Sequence, residues 1–201
     1  MKLYEYEPAP NPRLVRIFLA EKGIDVPREQ VDISKGENRR DEFLALNPMG
    51  GLPVLELDDG TCIAETAAIC RYFEALQPEP SLMGRDALEI ARIEMWRRRM
   101  ELEIALPIML CFRNTHEYFS GRYPQFPDYG KACEKQARKR LQWLDGELAG
   151  REFIAGDDYS IADITALIGI DFGRMVDIRP DELPHLKRWH EEVSARPSAS
   201  A

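Results

Sequence analysis

Apolar and polar positions change their period once along this chain. Up to residue 76 they come in short alternating runs between turn residues, and from residue 86 onward they recur every three to four positions. Lys2-Leu3-Tyr4-Glu5-Tyr6 alternates as a strand. Pro8, Pro10 and Pro12 then interrupt strand and helix alike. Pro12 suits a first helical turn, where its missing N–H would have no intrahelical partner. This predicts a helix over about 12–22, with Leu14, Ile17 and Phe18 inward and Gly23 as its stop. Glu29 to Ile33 alternates as a second strand, and Asp41 to Leu46 is weakly helical up to Asn47-Pro48. Pro53 to Leu57 and Thr61 to Ile63 flank Asp58-Asp59-Gly60, a strong hairpin signal. Thr66 to Leu76 reads as a helix with Ala67, Ile69, Cys70 and Phe73 on one side. The predicted order is β-α-β-α-β-β-α.

Gln77-Pro78-Glu79-Pro80 breaks the pattern, and the chain is read as a domain over 1–78, a linker over 79–84 and an all-helical domain over 85–201. Residues 86–119 read as one long helix, bent at Pro107, which cannot continue the hydrogen-bond ladder. Residues 128–149 carry Cys133, Ala137, Leu141, Leu144 and Leu148 at helical spacing. Ser160-Ile161-Ala162-Asp163 is a capping-box start. A last helix over about 184–195 places Leu186, Trp189 and Val193 on one stripe. There is no internal repeat.

Charge narrows the function classes. Twenty-seven basic against 35 acidic residues give a net charge of -8, which argues against a protein that lives on phosphate backbones. The basic run from Lys135 to Arg140 is therefore read as a helix face. No window approaches the roughly 18 apolar residues of a membrane span, and the first residues lack the apolar run of a secretory signal. A cytoplasmic protein without membrane or nucleic-acid partners is expected. Cys62, Cys70, Cys111 and Cys133 include no C-x-x-C spacing, so neither a metal site nor a dithiol motif is read, and buried free thiols are expected.

Two stretches carry chemistry. Asn47-Pro48-Met49-Gly50-Gly51-Leu52-Pro53-Val54-Leu55 sets a proline at the mouth of a strand behind two glycines. In thioredoxin-like folds a cis proline here turns the preceding backbone outward, so that the Leu52 N–H and C=O pair with an extended peptide. An ordinary turn with a trans proline is the alternative. Ala64-Glu65-Thr66-Ala67-Ala68-Ile69 sets an acid and a hydroxyl where strand meets helix. Free N–H groups there suit a carboxylate, and Glu65 can accept from an ammonium, so an amino-acid head group would fit. A plain N-cap is the alternative.

Taken together, the order of elements, Asn-Pro-x-Gly-x-Leu-Pro-Val-Leu, Glu-Thr-x-Ala-Ile and the closing Arg-Pro-Ser resemble the cytosolic glutathione transferases, over nearly the whole chain. Val15 to Ile24 fits that family's first helix, and Tyr159 to Asp163 its structural capping motif. The resemblance implies a thioredoxin-like N-terminal domain that binds glutathione, an all-α C-terminal domain, and a homodimer. It assigns the γ-glutamyl group to Glu65 and Thr66 and the cysteinyl backbone to Leu52, beside Pro53. Many members carry a basic or amide residue before the Leu-Pro pair, near the glycine carboxylate. This chain has Gly51, so Asn38, Arg39 and Arg40 are the candidate substitutes, Arg39 foremost. The second substrate is assigned to the long helix, with Met100, Phe112, Arg113 and His116 as wall residues. In the dimer, Glu101 or Glu103 would face the partner's glutathione amine.

Catalysis requires stabilising the glutathione thiolate. The serine position of serine-type members falls on Ala9, which has no hydroxyl. Tyr4 and Tyr6 are candidates from the tyrosine-type pattern, although core or interface packing suits both better. Ala9-Pro10-Asn11 resembles the Thr-Pro-Asn loop of bacterial nu-class members, which show disulfide-bond reductase activity. Asn11 is therefore the catalytic candidate, as an amide donor to sulfur, with a helix N-cap as its structural alternative. Conjugation to electrophiles, thiol–disulfide exchange and peroxide reduction all follow from such a site. A zeta-type isomerase would carry Ser-Ser-Cys in this loop. A non-catalytic regulator on the same fold is the reading from another class.

Overall fold

The alternation at the N-terminus builds β1 (Lys2–Glu5), the second strand of a four-stranded sheet in the computed structural model, which describes residues 1–201. With β2 (Arg28–Gln30), β3 (Val54–Glu56) and β4 (Cys62–Ala64), the order is β2-β1-β3-β4. The β1–β2 pair is parallel; β1–β3 and β3–β4 are antiparallel. Side-chain alternation divides the sheet. Tyr4 and Val54 pack on one face with Val31 and Phe43, while Leu3 and Leu55 are fully buried on the other. Three helices belong to this unit: α1 (Pro10–Lys22), α2 (Asp41–Leu46) and α3 (Thr66–Leu76), with α1 packed on α3.

Several boundaries differ from the sequence reading. α1 starts at Pro10 and not at 12, with Ala9 as N-cap in extended conformation, because proline is tolerated throughout a first turn and the first closing bond runs from the Arg13 N–H to the Ala9 carbonyl (3.4 Å). Asn11 is thus inside the helix and does not cap it. β2 stops at Gln30, since the Asp32 side chain accepts from the Ser34 N–H (2.9 Å) and starts a short 3-10 turn over Ile33–Lys35. The hairpin forms as expected, with Gly60 at φ +83 and the Leu57 N–H on the Thr61 carbonyl (2.8 Å), and β4 follows one residue later.

The chain divides into two compact units, Met1–Leu82 with Ser200–Ala201, and Met83–Ala199. In the first, the buried Lys22 ammonium ties the end of α1 to Glu74 (2.7 Å) and to the carbonyls of Gln77 and Pro80 (both 2.7 Å).

The second unit is helical throughout. α4 (Ala87–Arg99) runs through a π-helical segment, Met100–Ala105, into α5 (Leu106–Thr115). The long helix thus ends at Thr115 and not at 119. His116 caps a separate 3-10 turn over Glu117–Phe119, its Nδ1 accepting from the Tyr118 N–H (3.1 Å). The widened turn sits just ahead of Pro107, where the ring has no N–H to give and crowds the preceding carbonyls. α6 (Pro127–Leu148), α7 (Ile161–Phe172) and α8 (Pro184–Ser194) complete the unit. α7 is buried from Ile161 through Ile170 and forms its centre. A Cβ on Gly169 would lie 2.8 Å from that of Ala105, so glycine sets the close approach of α7 to the π segment.

The capping box on α7 is the polar heart of this unit. The fully buried Asp163 carboxylate accepts from the Ile154 N–H (2.8 Å), the Ser160 N–H (3.0 Å) and hydroxyl (3.1 Å), and the Trp189 indole (2.9 Å). Burial pushes Asp163 up to about 6, against the pull of those donors.

Candidate active site

Strand register gathers the candidate residues of the first unit. Val54 lies opposite both Tyr4 and Ala64. One step beyond it, Leu52-Pro53, the end of β1 and Glu65-Thr66 therefore meet at one end of the sheet. α1 starts after β1 and α3 starts after β4, so two helix N-termini arise at that same end.

The Leu52–Pro53 bond is cis, as the sequence pattern leads one to expect. Three carbonyls before it are each held by a different side chain. Arg39 Nη1 donates to Met49 O (3.3 Å), Asn38 Nδ2 to Gly50 O (2.8 Å), and Asn47 Nδ2 to Gly51 O (2.9 Å). The half-buried Leu52 comes next, and its own N–H and C=O bond to nothing in the chain. Buried backbone groups are nearly always paired, so a residue that offers both is a natural receptor for another extended backbone.

Across from it, Glu65 is the N-cap of α3 and has φ 73, ψ 126. That conformation is a genuine outlier for a residue with a bulky side chain. Its carbonyl closes the first helical bond to the Ile69 N–H (3.0 Å), while its exposed carboxylate caps nothing. Thr66, half-buried, opens α3 with its first-turn N–H groups free, as at any helix start.

The start of α1 is unusually poor in donors. Pro10 and Pro12 have no N–H, and that of Arg13 is taken by Ala9. Only Asn11 offers an amide in the first three positions, and its exposed carboxamide has no partner. Tyr4, in contrast, is committed to the core. Its hydroxyl donates to Glu56 (2.8 Å), its ring meets Phe43 edge-on, and the Lys2 ammonium lies 4.5 Å from the ring centre. Lys2 pulls the phenol pKa down, but burial and the Glu56 carboxylate leave it raised on balance. Tyr6 is half-buried; its carbonyl accepts from the Ala9 N–H (2.9 Å), and its hydroxyl makes no hydrogen bond. Arg39 is exposed, and its guanidinium lies 2.8 Å from the place of a Cβ on Gly50.

In the helical unit, Phe112, Arg113 and His116 come together at the end of α5. Phe112 touches the rings of His116 (4.6 Å), Phe119 (5.3 Å) and Phe172 (5.0 Å), and Arg113 lies over Tyr123 (4.8 Å). Met100 stands apart from them, about three turns earlier and fully buried. Glu101 is held by Arg97 and Arg98 (both 2.8 Å) and Glu103 by Arg140 (2.7 Å), so each carboxylate already has a partner within its own chain. No group of three or more His, Cys, Asp or Glu side chains is arranged to hold a metal ion, and no helix is long and apolar enough to cross a membrane.

Sequence reasoning missed two features of this site. The Glu65 backbone strain leaves no trace in residue type. The hold of Asn38 and Asn47 on the glycine carbonyls had a visible signal, an amide residue ahead of Pro-x-Gly-Gly, but depends on a loop path that periodicity does not describe.

A four-stranded mixed sheet with a cis-proline edge and two helix N-termini, followed by a helical unit, defines a thioredoxin-like domain joined to an α-helical one. Residues 9–76 match the family model described as glutathione S-transferase, N-terminal domain, and residues 104–197 match its C-terminal domain. Glutathione S-transferase 2 of Saccharomyces cerevisiae is 38% identical over 206 residues, covering 98% of this chain and 87% of the yeast protein. Maleylacetoacetate isomerase of Pseudomonas aeruginosa is 40% identical over 208 residues, covering 98% and 93%. The crystal structure of a glutathione S-transferase domain-containing protein from Marinobacter aquaeolei superposes with a TM-score of 0.94 at 40% identity, covering 98% of this chain and 99% of that one. The chain belongs to the glutathione S-transferase family, and it is a glutathione-dependent transferase with glutathione as co-substrate.

Proposed function

We propose that this enzyme binds glutathione through Leu52, Pro53, Glu65, Thr66 and Arg39 and activates its sulfur with Asn11. The observation that carries the reading is the pair of free backbone groups on Leu52 at the same sheet end as the uncommitted Glu65 carboxylate. The ligand's cysteinyl N–H and C=O pair with Leu52, its ammonium with Glu65, and its α-carboxylate with Thr66 and the start of α3. Arg39 takes the glycine carboxylate, in the role that Gly51 has no side chain to fill.

A free thiol has a pKa of about 8.5 and is mostly protonated at neutral pH. The Asn11 carboxamide and N–H donate to the sulfur and favour its anion, while the proton leaves to solvent. In conjugation the thiolate forms a C–S bond and the leaving group departs with its electron pair. In disulfide exchange it forms an S–S bond and expels a thiolate. The cluster of Phe112, Arg113 and His116 serves the second substrate, and Met100, fully buried about three turns earlier, can only back that wall from within.

The protein acts in the cytoplasm, in detoxification, as residues 1–78 and 85–201 joined by a linker over 79–84, and it pairs as a homodimer. Exposed Leu88, Met95, Leu102 and Met109, spaced seven apart along the long helix, support such pairing. The test is turnover of an activated aryl chloride and of a small symmetric disulfide with glutathione, set beside calorimetric glutathione binding and sedimentation at micromolar concentration. Binding with turnover of either substrate is expected. A protein that does not bind glutathione would overturn the reading, and a monomer would overturn the pairing. The isomerase relative motivates a second reading, glutathione-dependent cis–trans isomerisation of a conjugated diacid, for which the same preparation can be assayed.

A further inference from the structure

We propose that Asn47, assisted by Asn38, is a positioning residue for glutathione, which it serves through the backbone of the loop and without touching the ligand. The proposal rests on the reading of the site given above.

The argument starts from the peptide plane. The carbonyl of one residue and the N–H of the next belong to a single rigid unit. Asn47 Nδ2 holds Gly51 O at 2.9 Å, and so fixes the direction of the Leu52 N–H. Asn38 Nδ2 holds Gly50 O at 2.8 Å, and so fixes the plane before it. Arg39 does the same for Met49 O at 3.3 Å. Three consecutive planes are thus tied down by three side chains, and the next residue is the one whose groups stay free.

Without those ties the segment would be the least ordered part of the site. Gly50 and Gly51 are adjacent, and glycine loses more backbone freedom on ordering than any other residue. Gly50 has φ +65, and a Cβ there would lie 2.8 Å from Arg39 Nη1 and 2.9 Å from Asn38 O. Glycine is therefore required for the side chains to reach the loop, and the side chains are required to hold the glycines. Asn47 is suited to this. It is 6% exposed, its Oδ1 accepts from the Met49 N–H (3.1 Å) and its carbonyl accepts from the Gly50 N–H (2.8 Å). One asparagine thereby closes three bonds within the five residues it begins.

The test is Asn47→Asp, which keeps the acceptor for Met49 and replaces the donor to Gly51 by an oxygen. Steady-state kinetics, calorimetry with glutathione and with γ-glutamylcysteine, and thermal unfolding are measured together. KM and Kd should rise about tenfold for both ligands, since both present the same cysteinyl backbone, while kcat stays within about twofold. Asn38→Ala should move KM in the same direction by about threefold. A merely structural role would lower the unfolding temperature and the active fraction, and hence apparent kcat, without changing KM. A folded Asn47→Asp protein with parental Kd overturns the proposal. If that variant does not fold, unchanged KM in Asn38→Ala overturns it. Loss confined to glutathione, with γ-glutamylcysteine unaffected, also overturns it, because the defect would then lie at the glycine carboxylate. Failure of the parent protein to bind glutathione is a different result and removes the reading of the site itself.

Discussion

Replacing Glu65 by glycine should stabilise the free protein and damage it as an enzyme, and the two effects come from different parts of the residue. The backbone of Glu65 has φ 73 and ψ 126, a conformation that costs about 1–3 kcal/mol for a residue with a Cβ. Glycine removes that cost and adds roughly 0.5–1 kcal/mol of chain entropy lost on folding. The carboxylate is exposed and has no partner in the chain, so no contact is lost with it. The net gain expected is about 1 kcal/mol, or roughly 2–4 °C in Tm for a chain of this size. Binding should suffer in the opposite direction. A charged hydrogen bond to the ligand ammonium contributes about 1.5–3 kcal/mol, so Kd for glutathione should rise at least tenfold. Glu65→Ala separates the two parts, because it loses the carboxylate and keeps the strained backbone. It should lose the same affinity and unfold within about 0.5 kcal/mol of the parent. Urea unfolding of the free proteins and calorimetry with glutathione give both quantities. A glycine variant less stable than the alanine variant, or either variant binding with parental affinity, would refute the reasoning.

Three further outcomes are expected. Asn11→Ala should lower turnover roughly tenfold, less than the loss of an oxyanion donor because sulfur is a weaker acceptor, with Kd for glutathione nearly unchanged; Tyr6→Phe should change little, and a reversed result would make this a tyrosine-type enzyme. Asp163 has a folded pKa of about 6, above its unfolded value of about 3.9, so the folded state holds the extra proton between those values. Its contribution is fully present below about pH 4 and is lost as pH rises through about 6, a change of about 2–3 kcal/mol; unfolding of the parent relative to Asp163→Asn, compared at pH 4.5 and pH 7, checks both sign and size. Lys22→Met leaves the Glu74 carboxylate buried beside carbonyls that have lost their donor and should cost about 3–5 kcal/mol in urea unfolding; the double variant with Glu74→Leu should recover only part of it, because the Gln77 and Pro80 carbonyls stay unpaired and the buried Leu82 N–H loses its acceptor.

The architecture was legible where period and punctuation agree. Thr66–Leu76 and the Ser160–Asp163 cap occur where the sequence puts them, because each has a cap or a break at both its side-chain pattern and its flanks. The boundaries that moved did so for local reasons that residue counting does not carry: the Asp32 side chain ended β2, and His116 capped a separate turn just past Thr115. In the site, the proline edge and the acid at the helix start were visible because they are residue types in a fixed order. Arg39 stands out in the sequence for its charge, yet its guanidinium donates to a backbone carbonyl. The strain at Glu65 was not visible, since a dihedral is set by what the surrounding strands and helix impose.

The two prolines at the start of α1 carry a consequence for selectivity. A helix end usually grips oxyanions because several N–H groups reach several oxygens at once. Here Pro10 and Pro12 have no N–H and Arg13 is engaged, so the end of this helix is monovalent. Its backbone presents a single free N–H in the first three positions, and any further donor there comes from the Asn11 carboxamide. On the proposed role of Asn11, phosphate and sulfate are expected to compete poorly with the glutathione sulfur at this spot.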